Sequence, residues 1–240
     1  MQANLNHLGQ PVGEPLPDWQ PPALPPHTPL QGRYCRLEPL AAEKHATDLF
    51  AANQHDAKGR SWTYLPYGPF ATFADYEAWI RLSATGTDPQ FYAIIDQPSG
   101  RAMGIASYLR ISPKVGTIEV GHLNFSPLLQ GTRAATEAMF LMMERAFALG
   151  YRRYEWKCNA LNQPSRRAAL RLGFTFEGIF RQAVVVKGRN RDTAWFSIID
   201  REWPALRSAF VRWLAPENFD AQGRQRVALS ALTAALSVPS

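Results

Sequence analysis

The stretch from residue 117 to residue 174 constrains this fold more than any other part of the chain. It reads as a strand over Thr117–Phe125, a tight polar loop over 126–132, a helix over 133–149, a second strand over 152–159 and a second helix over 163–172. Ala135, Met139, Met142, Ala146 and Leu149 recur at helical spacing, so the first helix presents one apolar face to a sheet. Strand, turn and helix in that order set a helix N-terminus beside the carboxyl end of a strand. The unpaired N–H groups of the first turn and the positive end of the helix dipole then converge on one spot, an anion seat.

The flanking segments show how that unit is embedded. Eight prolines lie between Pro11 and Pro29 with no periodic apolar face, which excludes a helix or a central strand and predicts an extended arm over residues 1–31. Trp19 and Leu24 pin this arm to the body or to a neighbouring subunit, or else the arm is a free tail. A strand follows over 33–37 and a helix over 40–54. The loop 57–70 gathers Trp62, Tyr64, Tyr67 and Phe70 between prolines, as the wall of an acceptor pocket does, or as a cap on the first helix. Thr72 or Asp75 caps a further helix ending near Ser83. Strands over 91–96 and 102–111 are joined by the turn Gln97-Pro98-Ser99-Gly100, and 179–187 and 191–200 form another hairpin. Residues 203–213 read as a helix, and Leu229, Leu232 and Leu236 give 221–236 helical spacing. Consecutive strands followed by alternating helix and strand predict a mixed α/β (α+β) sheet. Residues 32–200 are read as the domain and 201–240 as a helical extension.

Charge and cysteine usage narrow the chemistry. The chain carries 26 basic and 20 acidic residues, a net charge of +6. That is mild for nucleic-acid binding, which is not expected, and it suits an anionic small molecule. Cys35 and Cys158 lie far apart in strand-like runs and in no metal-binding spacing, so they are expected to be buried reduced thiols, with no metal site. No run of about 18 apolar residues occurs, so no membrane span is expected. The opening residues lack a charged-then-apolar signal pattern, which makes the cytoplasm the expected location.

Two motifs carry a resemblance. The first is Phe125-Ser126-Pro127-Leu128-Leu129-Gln130-Gly131-Thr132-Arg133-Ala134-Ala135; the second is Asn162-Gln163-Pro164-Ser165, followed by Leu172-Gly173-Phe174 and Glu177-Gly178. In this order they make residues 32–200 similar to the acetyl-CoA-dependent N-acetyltransferase superfamily (GNAT), and within it to the ribosomal-protein (RimJ/RimL-type) branch. The resemblance implies a mostly antiparallel sheet of about six to seven strands, splayed in the middle and flanked by helices. It also implies that Gln130, Gly131, Thr132, Arg133, Ala134 and Ala135 cradle the pyrophosphate of acetyl-CoA, while Leu123 and Phe125 hold its pantetheine arm and acyl carbonyl. The chain departs from the pattern twice. Arg133 replaces the central glycine of the loop, and its side chain either reaches phosphate or faces solvent. Ala169 stands where many members place an acidic tyrosine.

The family chemistry is attack of a neutral amine on a thioester, in a ternary complex without a covalent enzyme intermediate. Cys158 has no histidine paired with it in sequence, which argues against an acyl-cysteine. Glu119, on the first strand, is placed like the base of some members, or is a structural carboxylate paired with a cation. His122, on the opposite face, is either a titrating catalytic group or a satisfied histidine. Asn162 is expected on the cofactor. Ser165 either donates to the leaving sulfur or caps the helix. Arg167 and Arg171 share a helical face that suits the adenosine phosphates or stands in solvent. The acceptor is a primary amine, either a protein N-terminus or a small molecule, walled by Trp62, Tyr64 and Tyr67. The competing reading is a non-catalytic adaptor on a degenerate acetyltransferase scaffold. The arm and the final helix suit a homodimer.

Overall fold

The computed structural model describes residues 4–234 and 236. The remaining residues, at the ends of the expected arm and extension, lie outside the described ones. Alternation of side chains decides how the sheet is buried. In the strand Gln90–Asp96, Tyr92 and Ile94 pack into one core, and Phe91, Ala93 and Ile95 into another on the opposite face. A strand covered on both faces reads as one continuous apolar run.

The elements in chain order are β1 (Asn4–Leu5), β2 (Pro11–Val12), β3 (Leu30–Gln31), β4 (Cys35–Pro39), α1 (Ala42–Asn53), α2 (Phe73–Ser83), β5 (Gln90–Asp96), β6 (Ala102–Ser112), β7 (Thr117–Phe125), α3 (Arg133–Ala148), β8 (Arg153–Asn159), α4 (Gln163–Arg171), β9 (Thr175–Val186), β10 (Arg189–Ile199), α5 (Trp203–Leu214) and α6 (Leu229–Ala234). A 3-10 turn, Arg60–Trp62, interrupts the loop between α1 and α2. The main sheet has eight strands in the order β3-β4-β5-β6-β7-β8-β10-β9. All its neighbours are antiparallel except β7 and β8. The mixed, mostly antiparallel sheet matches the expectation, with one strand more because Leu30–Gln31 adds an edge at the end of the proline arm.

The parallel pair matters most. β7 and β8 pair only from Thr117 with Arg153 to Val120 with Trp156; beyond that, residues 121–125 stay with β6 alone. A register shift between Ser107–Gly121 and Ile105–Asn124 marks a bulge, with His122 held at φ 53°. A non-glycine residue in that region costs about 1–2 kcal/mol. The bulge bends β7 away from β8 and opens the sheet at its centre.

One layer packs α3 and α5 against the sheet through Met139, Met142, Phe210 and Tyr154; the other packs α1 and α2 through Leu49, Trp62, Tyr76 and Ile80. Burying each such side chain stabilises the fold by about 1.5–3 kcal/mol. Thr72 caps α2, accepting from Asp75 N at 3.2 Å. A long-range pin ties α3 to the turn between β3 and β4: the buried Glu137 carboxylate accepts from Arg33 N, Tyr34 N and Cys35 N at 2.9, 2.6 and 2.8 Å.

The arm lies on the body. Pro22, Pro25 and Leu30 are buried, and Arg145 donates to Pro26 O, Thr28 Oγ1 and Pro29 O. Prolines have no N–H of their own, so their carbonyls are tied down by side chains from the sheet and helix. The helix expected over 221–236 is shorter, beginning at Leu229. Ahead of it the Asp220 carboxylate accepts from Gln222 N and Arg224 N, and Gly223 sits at φ 76°. This turn chemistry overrides the leucine spacing.

Candidate active site

The loop leaving β7 is drawn tight before it enters α3. Leu129 is buried against Gly104, where a Cβ would stand 2.6 Å from Leu129 Cδ2; only glycine allows that approach. Gln130 Nε2 donates to Phe125 O at 2.7 Å and closes the loop on itself. Thr132 caps α3, its Oγ1 accepting from Ala135 N at 3.1 Å. Gly131, at φ 74°, has open space where a side chain would stand. The N–H groups of Gly131, Arg133 and Ala134 have no hydrogen-bond partner among the described residues. They surround the positive end of the α3 dipole, and these donors fit a pair of linked phosphoryl groups.

A cavity of about 1040 Å³ opens from this seat. Leu123, Phe125, Gln130, Gly131, Thr132, Arg133 and Ala135 line one side; Asn162, Ser165 and Arg171 of α4 line another, and the 222–225 turn closes a third. Ala134 is buried outside this lining and offers only its N–H. The Arg133 guanidinium lies over the Tyr34 and Phe219 rings, 4.7 and 4.8 Å from their centroids. Its side chain therefore neither blocks the seat nor stands free in solvent, but joins α3 to the C-terminal extension. Arg167 corrects the expectation: it is exposed and outside the lining. The next turn's Arg171 is instead tucked toward α3, donating to Thr136 Oγ1 at 2.9 Å.

A second cavity, of about 370 Å³, meets the first where β7 and β8 part; Leu123, Trp156, Asn162 and Ser165 line both. Asn162 Oδ1 accepts from Ser165 N at 3.2 Å, which caps α4. Ser165 Oγ accepts the Trp156 indole N–H at 3.0 Å. That bond uses an oxygen lone pair and leaves the hydroxyl proton to turn between the neighbouring Cys158 sulfur and the shared opening. Cys158, in the same wall, is buried, and burial pushes its thiol up, so it is a poor nucleophile.

Glu119 lines the second cavity and is 3% exposed. Arg110 Nη1 donates to both its oxygens at 2.8 Å, and Lys157 Nζ lies 2.8 Å from Oε2. Lys157 also contacts Glu155 at 2.7 Å and lies 3.7 Å from the Trp195 ring centroid. The bulge brings His122 into the same wall as Glu119, not to the opposite face that simple alternation predicts. Burial, then the Arg110 charge, pushes His122 down to about 4, so it is neutral at pH 7.

The aromatic loop divides its labour. Tyr64 faces the second cavity and reaches Leu161 O. Tyr67 stands behind His122, stacked on it, with its hydroxyl 3.0 Å from Nδ1. Burial raises the Tyr67 hydroxyl's pKa, so it keeps its proton and donates; the His122 proton then sits on Nε2. Trp62 is not a wall residue of this cavity. It is 4% exposed and packs edge-on to Phe70 and Tyr76 in the α1–α2 core. Sequence reasoning passed over Lys157, Trp156 and Arg191, which also line the second cavity. Trp156 and Lys157 are neighbours on β8 and Arg191 stands alone on β10, so no spacing distinguishes them from ordinary sheet positions.

Among the described residues, no group of His, Cys, Asp or Glu is arranged to hold a metal ion, and no helix is long and apolar enough to cross a membrane. A family model described as an acetyltransferase (GNAT) domain matches residues 35–175. Among solved structures, the chain is similar to a GCN5-related N-acetyltransferase from Brucella melitensis, 50% identical over 91% of this chain and 100% of that one, with a TM-score of 0.89. It shares its fold with the microcin C7 self-immunity acetyltransferase MccE, solved with acetyl-CoA and AMP, at 20% identity over 70% of this chain and 93% of that one, TM-score 0.61. The ribosomal L7/L12 α-N-protein acetyltransferase RimL shares it too, at 21% identity over 70% and 91%, TM-score 0.57. No curated protein matches the chain.

Proposed function

This chain belongs to the GNAT acetyltransferase family, and from that premise we propose that it transfers an acetyl group from acetyl-CoA directly to a primary amine, in a ternary complex. The observation that carries the reading is the meeting of two cavities at the β7–β8 splay, with a helix N-terminus in one and a paired carboxylate in the other. Gly131, Arg133 and Ala134 hold the pyrophosphate through their N–H groups. Leu123, Phe125 and Asn162 flank the pantetheine arm. When bound, acetyl-CoA supplies the thioester carbon that the amine nitrogen bonds as the C–S bond breaks, giving an amide and free thiol.

The residues of the chain handle the protons. Ser165, with its oxygen held by Trp156, donates to the departing sulfur, a role open because Ala169 replaces the tyrosine of other members. Glu119 is the one carboxylate lining the second cavity among the described residues, and we assign it the amine's proton, with the exposed Arg110 as the partner that yields. His122, with its proton on Nε2, positions the acceptor as a donor. Tyr64 walls the amine side. A cytoplasmic location and an acceptor that is either a protein N-terminus, as in the RimJ/RimL-type branch, or a small-molecule amine belong to this reading.

Release of free thiol from acetyl-CoA across a panel of amines and peptides tests it, with calorimetry of acetyl-CoA alone beside it. Binding at micromolar or tighter affinity together with turnover of at least one amine is expected. Tight binding without turnover of any amine would favour a non-catalytic adaptor instead.

A further inference from the structure

Arg191, on β10, lines the second cavity half-buried. Its Nε is sealed from solvent and has no hydrogen-bond partner among the described residues. The next residue's carboxylate does not help: Asp192 Oδ1 accepts instead from Gln182 N and Asn190 Nδ2. A register irregularity between Arg191 and Thr193 lies at this point of the strand pair, the kind of bulge that re-aims a side chain. The other cations in this wall are matched. Arg110 pairs with Glu119, and Lys157 pairs with Glu119 and Glu155. Three cations thus face two carboxylates, and Arg191 is the unmatched one. His122 is neutral at pH 7, and burial keeps the Cys158 thiol protonated, so neither offers an anion.

A guanidinium nitrogen sealed from solvent without an acceptor is costly, and proteins retain one where a ligand supplies the missing partner. Resting on the transferase reading above, we propose that Arg191 receives an acidic group of the acceptor, so that the substrate is a small amine carrying a carboxylate or phosphate beside its amino group. The phosphates of acetyl-CoA do not fill this role, because their seat at the α3 N-terminus lies in the other cavity. A volume of about 370 Å³ is near the lower end for ligand pockets and suits a molecule of amino-acid size. Simple polyamines lack the anion and leave Arg191 unsatisfied.

The test uses the whole chain and paired probes: the twenty amino acids against their carboxamides, and phosphoethanolamine against ethanolamine. Thiol release gives kcat/KM, and calorimetric titration of the CoA-saturated protein gives binding without turnover. At least one acid-bearing probe should exceed its uncharged partner about 10- to 100-fold in both readouts, the range of one charge-assisted hydrogen bond. Which pair responds tells carboxylate from phosphate. In Arg191→Met that ratio should collapse toward one, and Arg191→Lys should keep part of it. The proposal is overturned if uncharged partners do equally well, if the ratio survives Arg191→Met, or if no acid-bearing amine is accepted. Acetyl-CoA binding measured alone separates the two levels. A wild-type protein that does not bind acetyl-CoA loses the transferase reading and this proposal with it, whereas binding with equal use of neutral amines removes only the role of Arg191. Should Arg191→Met not fold, the wild-type ratio and the lysine variant decide.

Discussion

Replacing Ser165 by Ala separates chemistry from binding at one atom. Ser165 Oγ accepts the Trp156 indole N–H at 3.0 Å, and Trp156 is 5% exposed, so the variant strands a buried donor. An unpaired buried donor costs about 1–3 kcal/mol, which for a chain of this size lowers Tm by roughly 2–12 °C. The lost hydroxyl is also the hydrogen-bond donor assigned to the departing thiolate, which takes up the proton released by the amine. Losing one positioned donor at developing charge costs on the order of 10²–10³ in kcat. Affinity for acetyl-CoA should move less than about threefold, because the N–H groups proposed to hold the phosphates, those of Gly131, Arg133 and Ala134, are untouched. Adding Trp156→Phe removes the other half of the pair, so much of the stability should return while turnover stays low. Single-turnover thiol release with the best acceptor from the amine panel, thermal melts and calorimetry of acetyl-CoA supply the three readouts. A Ser165→Ala enzyme with kcat within about threefold of wild type would refute the assignment, whatever happens to its stability.

Three further outcomes test the rest of the site. Glu119→Gln should lower kcat without raising the KM for acetyl-CoA, since Glu119 lines the second cavity, proposed for the acceptor, and not the first; an unchanged rate removes it from proton transfer. Glu137→Gln replaces one of two oxygens that take three backbone N–H groups, and should destabilise by roughly 2–4 kcal/mol in urea titrations, with less than about 1 kcal/mol contradicting the pin. His122 falls from 6.5 to about 4 on folding, so between those values the unfolded chain binds the extra proton. Its contribution to stability is intact at pH 7 and lost as pH falls toward 4, up to roughly 3 kcal/mol. His122→Asn, which tolerates the positive φ, should flatten that part of the stability–pH curve; an unaltered curve counts against a buried neutral imidazole.

Much of the scaffold was legible because it rests on interactions within a few residues. The strand–loop–helix unit, the hairpin turns and the Thr72 cap all follow from periodicity and turn chemistry. The same local logic misplaced what distant segments decide. Trp62 looked like a pocket wall, yet α2 arrives to bury it among Phe70 and Tyr76. Arg167 and Arg171 share a helical face, yet only the second meets α3 and the cavity. Alternation set His122 opposite Glu119, and a bulge paired across β6 brought them into one wall.

By itself, then, the sequence determined most of the segments that become helix or strand and that a helix N-terminus would follow the loop after β7. Only the tertiary structure decided that Glu137 would pin a turn a hundred residues away, that Arg133 would lie over Tyr34 and Phe219, and that Arg191 would line the second cavity with its Nε unpartnered among the described residues. The physical reason is range. Backbone preferences and side-chain periodicity act within a turn or two of chain, whereas partners for buried charges are chosen when the layers close and water is excluded.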